Sequence, residues 1–222
     1  MTKAFVFNQT IKEVADFLNE QGFQYKKSHG RIMKLLDDGF FGIIINIIDY
    51  RPVFQIEMYL GVRLDTVEEI VNRFLEWTFA SPKFMKYTET ISTSYKALSG
   101  ANENYIEIGS EHQLQKGINE LTLLIKEKGL VFFEKNRNLN NVNLHKKQSI
   151  LNDTSGIAHI LTNLMQSLTL MKLCNDPDFD ELSERYKKLL VPWAGQEESG
   201  RKALDDLIEF LKGYNPGKKS QA

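Results

Sequence analysis

Between Phe23 and Arg63 the apolar runs are separated only by two- or three-residue interruptions, and this spacing limits the chain more than any other feature. Phe23–Ser28 and Arg31–Asp37 flank His29-Gly30, Asp38-Gly39 leads into Phe40–Asp49, and Tyr50-Arg51-Pro52 leads into Val53–Arg63. Two parallel strands need a crossover of about a dozen residues or more, which none of these turns supplies. The four segments are therefore predicted to form an antiparallel meander, with Asp38-Gly39 as its clearest hairpin signal.

Helical periods surround the meander. Asn8–Gln21 places Ile11, Val14, Ala15 and Leu18 on one face and ends at Gly22, the residue best suited to a left-handed helix end. Asp65 opens a second helix, with Glu68 three residues on as a capping-box partner and Val67, Ile70, Val71 and Phe74 as its buried stripe. It passes Trp77 into a loop at Ser81-Pro82. Thr90–Lys96 and Tyr105–Gly109 read as two further strands. Ser110 with Gln113 caps a third helix through Leu114, Ile118, Leu121 and Ile125, closed by Gly129 before a short apolar run, Leu130–Phe133. Five asparagines between Asn136 and Asn143 mark a loop and the internal boundary. Three helices follow: one from Ser155 to Leu173 with Ile157, Leu161, Leu164 and Leu168 on its apolar side, one after Pro177 with Asp176 as N-cap, and Glu197–Leu211 before a frayed tail.

The charges balance, and this bears on partners. Residues 1–139 carry 17 basic and 18 acidic side chains, and 140–222 carry 11 of each, so neither half offers the net positive field that phosphate backbones require. Met1–Glu13 has no apolar core of signal-peptide length, and the most apolar stretch, Gly156–Cys174, contains His159, Asn163, Gln166 and Lys172. A cytoplasmic protein without a membrane span is expected.

A search for chemistry returns little. There is no Gly-rich phosphate cradle, and Gly39-Phe40-Phe41-Gly42 falls in a hairpin. The four histidines, His29, His112, His145 and His159, never pair at helical spacing. Asp176, Asp178 and Asp180 imitate the start of a calcium loop, but Pro177, Glu181 and Lys187 break the pattern, and helix capping explains the aspartates better. Cys174 has greasy neighbours and no adjacent base. No catalytic residue, metal ligand or cofactor is assigned.

Two surfaces remain. In Val53–Arg63, Phe54, Ile56, Met58, Leu60 and Val62 point one way, and Gln55, Glu57, Tyr59 and Arg63 the other. The neighbouring run Ile43–Ile48 is apolar on both faces except at Asn46, which predicts a second sheet face at least partly covered by the C-terminal helices or a partner. Tyr25, Asn46, Gln55, Glu57, Tyr59 and Arg63 are the binding candidates, although an ordinary solvated sheet face fits the same pattern. The second surface, Lys26, Lys27, His29, Arg31 and Lys34 with Tyr25 among them, has the composition of a single-strand platform. It equally has that of a charged edge hairpin that resists aggregation, the reading the balanced charge favours.

The element order, together with Gly22-Phe23-Gln24-Tyr25-Lys26-Lys27, Phe74-Leu75-Glu76-Trp77, Gly129–Glu134, Leu170–Leu173 and Phe179–Tyr186, resembles an uncharacterised bacterial family, a domain of unknown function with members similar to immunity proteins encoded near toxins. That resemblance implies a protein partner and carries no catalytic residues. Taken together, these readings predict an α+β protein: an antiparallel sheet meander flanked by helices over residues 1–139, and a helical subdomain over 140–222 packed on it. The expected role is a non-enzymatic protein-binding module of immunity type. The alternatives are a ligand-binding or catalytic pocket using Glu57, Tyr59 and Arg63, and a nucleic-acid binder using the Lys26–Lys34 hairpin.

Overall fold

The computed structural model describes residues 1–75, 86–154, 160–190 and 197–215. The expected end of the second helix at Trp77, the Ser81-Pro82 loop, the helix start at Ser155, Ile157, His159 and the tail beyond residue 215 lie outside them. In chain order the elements are α1 (Lys3–Leu18), β1 (Gln24–Lys26), β2 (Arg31–Leu36), β3 (Gly39–Tyr50), β4 (Val53–Arg63), α2 (Asp65–Leu75), β5 (Ile91–Ser94), α3 (Tyr95–Ser99) and β6 (Ile106–Ile108). Then come α4 (Glu111–Leu124), a π turn (Ile125–Gly129), α5 (Leu130–Lys135), α6 (Leu139–Asn152), α7 (Leu161–Leu173), α8 (Phe179–Leu189) and α9 (Glu197–Gly213). The predicted α+β class and antiparallel meander are both present.

The residues divide into two units, each entered by two chain segments: 1–63 with 91–135, and 64–90 with 136–222. The division differs from a single cut near Asn140, because the chain leaves the sheet after Arg63 and returns at Ile91, which pairs with Val62.

In the first unit, β1-β2-β3-β4-β5 lie in that order, all antiparallel, and β6 joins β4 beside β5. The dry face of β4 is as expected, with Phe54, Ile56, Met58, Leu60 and Val62 all buried. Their partners Phe41, Ile43, Ile45 and Ile47 on β3 are buried as well. Helix α1 begins earlier than its apolar period suggested, because the Thr2 hydroxyl accepts the Phe5 N–H at 3.2 Å and caps it. The capping box of α4 forms as read: Ser110 Oγ accepts from Gln113 N at 3.2 Å, and Gln113 Oε1 accepts from Gly109 N at 2.7 Å.

Gly129 does not close that helix. The chain passes through a π turn there and continues as α5, so Leu130–Phe133 is helical. A Cβ at Gly129 would stand 3.0 Å from Leu60 Cδ2, so the missing side chain serves close approach to the sheet and not termination. Phe133 then stacks on Phe41 with centroids 4.8 Å apart and lies 5.5 Å from Phe23.

In the second unit, the asparagine-rich stretch is a helix start and not a loop. Asn138 Oδ1 accepts from the N–H groups of Asn140 and Asn141 at 2.9 and 3.3 Å, and α6 runs on from Leu139. Asp176 does not cap α8, which begins at Phe179. Helix α7 is buried around most of its circumference, from Leu164 through Met171.

This division sharpens what a truncation would do. A fragment ending at residue 139 keeps α2 but deletes α6 to α9, leaving Val67, Ile70, Val71 and the buried Glu68 without the rest of their unit. Such a fragment is expected to aggregate or melt without a sharp transition in a calorimetric scan. A monomeric fragment with a cooperative melt would refute that.

Candidate functional site

Antiparallel register decides which of the candidate residues share a face, because directly opposed side chains point the same way. Asn46 pairs with Glu57, Ile44 with Tyr59 and Ile48 with Gln55, so Asn46, Gln55, Glu57 and Tyr59 do form one contiguous set on the second face of the sheet. Tyr25 is not among them. It pairs with Ile32, which pairs with Ile43 and through it with Leu60, all on the first, dry face. Arg63 shares the second face but lies four residues beyond Tyr59, roughly 13 Å along the strand, and is only 5% exposed opposite Phe40.

The same register brings in residues that alternation alone did not single out. Ile44 and Ile48 are half-buried on this face and Asn46 is exposed. Leu35 on β2 and Tyr50 on β3, both of the same parity, are 69% and 57% exposed. An apolar strip along β3 therefore faces outward, with Gln55, Glu57 and Tyr59 along one side of it.

Tyr59 is held in place. Asn104 Oδ1 accepts the Lys96 N–H at 3.1 Å, which fixes the amide so that its Nδ2 donates to the Tyr59 hydroxyl at 2.9 Å. Glu57 lies two residues away on the same face, where its charge acts on the phenol. Burial first, and then the Glu57 charge, push the phenol above its ordinary range, with Asn104 working against them. Near neutral pH this tyrosine is a fixed aromatic surface and a donor, not a base.

The basic hairpin comes apart in the same way. Lys26 pairs with Arg31 on the second face, while Lys34 pairs with Phe41 and belongs to the first. Lys27, Ser28 and His29 form a single 3-10 turn, and the Arg31 guanidinium lies 5.7 Å from the centre of the Phe40 ring. The cations do not line one groove.

The second unit contains a polar cluster whose members lie too far apart along the chain for local pattern to link them. Glu68 is fully buried, not a surface capping residue. Its Oε2 accepts from Thr88 Oγ1 at 2.7 Å, and its Oε1 accepts from Thr90 Oγ1 at 2.9 Å and from Gln166 Nε2 at 2.7 Å. Thr90 Oγ1 in turn accepts the Leu64 N–H at 3.0 Å. Gln166 Nε2 also donates to the Glu89 carbonyl at 3.1 Å, and its Oε1 accepts from Lys146 Nζ at 2.5 Å. Lys146 completes its three donations at Thr90 O, 2.7 Å, and Asn163 Oδ1, 3.1 Å. Every ammonium proton thus has an acceptor. Burial lowers the Lys146 ammonium to about 8, although the Glu68 charge pulls the other way.

Asp176 belongs to a neighbouring cluster in this unit. Its Oδ2 accepts from Lys147 Nζ and Asn143 Nδ2, both at 2.7 Å, and its Oδ1 from the Asp178 N–H at 3.0 Å. Burial disfavours its charge, but these hydrogen bonds and the Lys147 charge outweigh that and hold the carboxyl below its usual range. Asp176 and Asp178 thus form ion pairs with Lys147, where helix capping was expected. Burial raises the Cys174 thiol, as does the Asp176 charge. Among the described residues, no three or more His, Cys, Asp or Glu side chains are grouped to hold a metal ion, and no helix is long and apolar enough to cross a membrane.

The lysine gives a pH signature. Its folded pKa of about 8 lies below the ordinary 10.5, so between those values the unfolded chain binds the extra proton and stability gains with rising pH. Lys146→Met leaves three acceptors without their donor and is expected to cost about 3–5 kcal/mol in urea unfolding. The gap between wild type and variant should widen from pH 7.5 to pH 10, because only the wild type carries this proton. A gap that stays constant or narrows would show that Lys146 is not held as described.

No family model, curated protein or solved structure matches this chain.

Proposed function

We propose that the protein is a non-enzymatic protein-binding module and that the second face of the sheet is its contact surface. One observation carries this reading: Ile44, Ile48 and Tyr50 of β3 turn apolar side chains outward from a single face with Asn46 between the isoleucines, Gln55, Glu57 and Tyr59 lie alongside on β4, and Leu35 is exposed on the same face of β2. Exposed apolar side chains beside polar and aromatic ones fit the composition of protein interfaces. A rigid sheet also presents it without ordering cost, since β3 and β4 pair along their whole length. Tyr59, fixed by Asn104, supplies a preoriented aromatic of the kind enriched at binding hot spots. The resemblance to immunity proteins supports the same reading and suggests a toxin encoded nearby as the partner.

The test uses the full chain. Ile44→Glu with Ile48→Glu changes two half-buried positions, so the double variant should melt within a few degrees of wild type. Calorimetry against a candidate partner from the adjacent gene should show binding weakened at least about a hundredfold, since two hot-spot positions are each worth on the order of 2 kcal/mol. A partner that binds both proteins equally would remove this face from consideration.

A further inference from the structure

Helices α2 and α9 of the second unit leave a groove of about 500 Å³ between them, lined by Arg73, Phe74, Ser199, Lys202, Ala203 and Asp206. The α9 residues are spaced i, i+3, i+4 and i+7, so they form one face of that helix. Ala203 is buried and Phe74 half-buried, giving the groove an apolar floor, while Arg73, Lys202 and Asp206 are exposed at its rim. Beyond the floor, Phe74 meets Phe210 at 5.5 Å and Phe210 meets Tyr214 at 5.5 Å, which extends the aromatic surface along α9.

Charged side chains in this unit are of two kinds, some paired and some turned to solvent. Lys147 and Lys187 are each paired with carboxylates. Arg73, Lys202 and Asp206 have neither a hydrogen bond nor an ion pair among the described residues. Two cations and one carboxylate therefore surround an apolar floor in a groove of small-molecule size.

We propose that this groove is a binding site for a small organic anion with a flat apolar body, its carboxylate or phosphate head held by Arg73 and Lys202. The guanidinium presents a planar fork to such a head and the ammonium a point charge, while Phe74 and Ala203 take the body. Asp206 lies one helical turn beyond Lys202 and selects against a second negative charge at the aromatic end. This site is independent of the sheet face, so its failure leaves the binding-module reading where it was.

The experiment is a chemical-shift titration of the full chain with benzoate and with phenyl phosphate, using benzyl alcohol as the neutral control. Either anion should give saturable shifts clustered at Arg73, Phe74 and 199–206, and the tighter of the two identifies the preferred head group. Arg73→Gln with Lys202→Gln, both at exposed positions, should weaken binding about tenfold or more, and Asp206→Asn should not weaken it. The absence of saturable shifts with both anions up to about 20 mM would overturn the proposal, since that bounds the affinity above the millimolar range. So would equal binding of benzyl alcohol, or binding indifferent to the loss of both cations.

Discussion

An ammonium and a carboxylate that share one glutamine organise the second unit. Lys146 donates to the oxygen of the Gln166 amide while the nitrogen of the same amide donates to Glu68, so the amide can take only one orientation. Four stretches of chain meet there: α2 through Glu68, the return strand approach through Glu89 and Thr90, α6 through Lys146, and α7 through Gln166 and Asn163. A buried charge left without partners costs several kcal/mol, whereas one with all its hydrogen bonds made is tolerated. The cluster therefore enforces a single arrangement more than it adds stability, and any packing that displaces one member leaves the others unsatisfied.

The first unit relies on a different constraint. Its sheet has one face closed by Val6, Val14 and Leu18 of α1, by Leu114, Ile118 and Leu121 of α4, and by Phe133 of α5. The other face keeps half-buried isoleucines in its middle, so the two faces of β3 differ although isoleucines stand on both, Ile43, Ile45 and Ile47 on one and Ile44 and Ile48 on the other. Of the second face's polar members, Tyr59 is held by Asn104, which the Lys96 N–H fixes in turn.

The meander and the dry face of β4 were legible because period-two alternation and short turns act over short range. The registers were not, since Lys26 pairs with Arg31, Leu36 with Gly39 and Tyr50 with Val53, each shifted from the turns that were read. The start of α4 was legible because Ser110 caps from within three residues, whereas α1 begins at Lys3 behind Thr2, ahead of the Asn8 start that its apolar period gave. What escaped depended on distance in sequence. Glu68 reads as a capping residue from its neighbours, and only Gln166 and Lys146, far along the chain, turn it into a buried acceptor. Gly129 reads as a helix end unless the position of Leu60 is known. Tyr25 was placed on the wrong face because parity was not carried across β2 and β3 to β4; a two-residue turn before Arg31 would pair it with Lys34 and the observed register pairs it with Ile32, both on the dry face. In the candidate site, side-chain types were readable and parity was readable within a strand, but parity between strands required the turns.

The discontinuity of the units also bears on the order in which they are completed during synthesis. Residues 64–90 leave the ribosome before the second half of the sheet unit, yet their buried partners lie in α6 and α7. At roughly 5–20 residues per second, Glu68 waits on the order of 5–20 s for Gln166 to be made. Over that interval the sheet unit already has its chain through Lys135. A charged side chain at position 68 stays hydrated while it waits, where a large apolar one would be free to collapse onto whatever was nearest. The carboxylate that looks expensive in the finished unit is thus well suited to a segment that must remain open until its partners arrive.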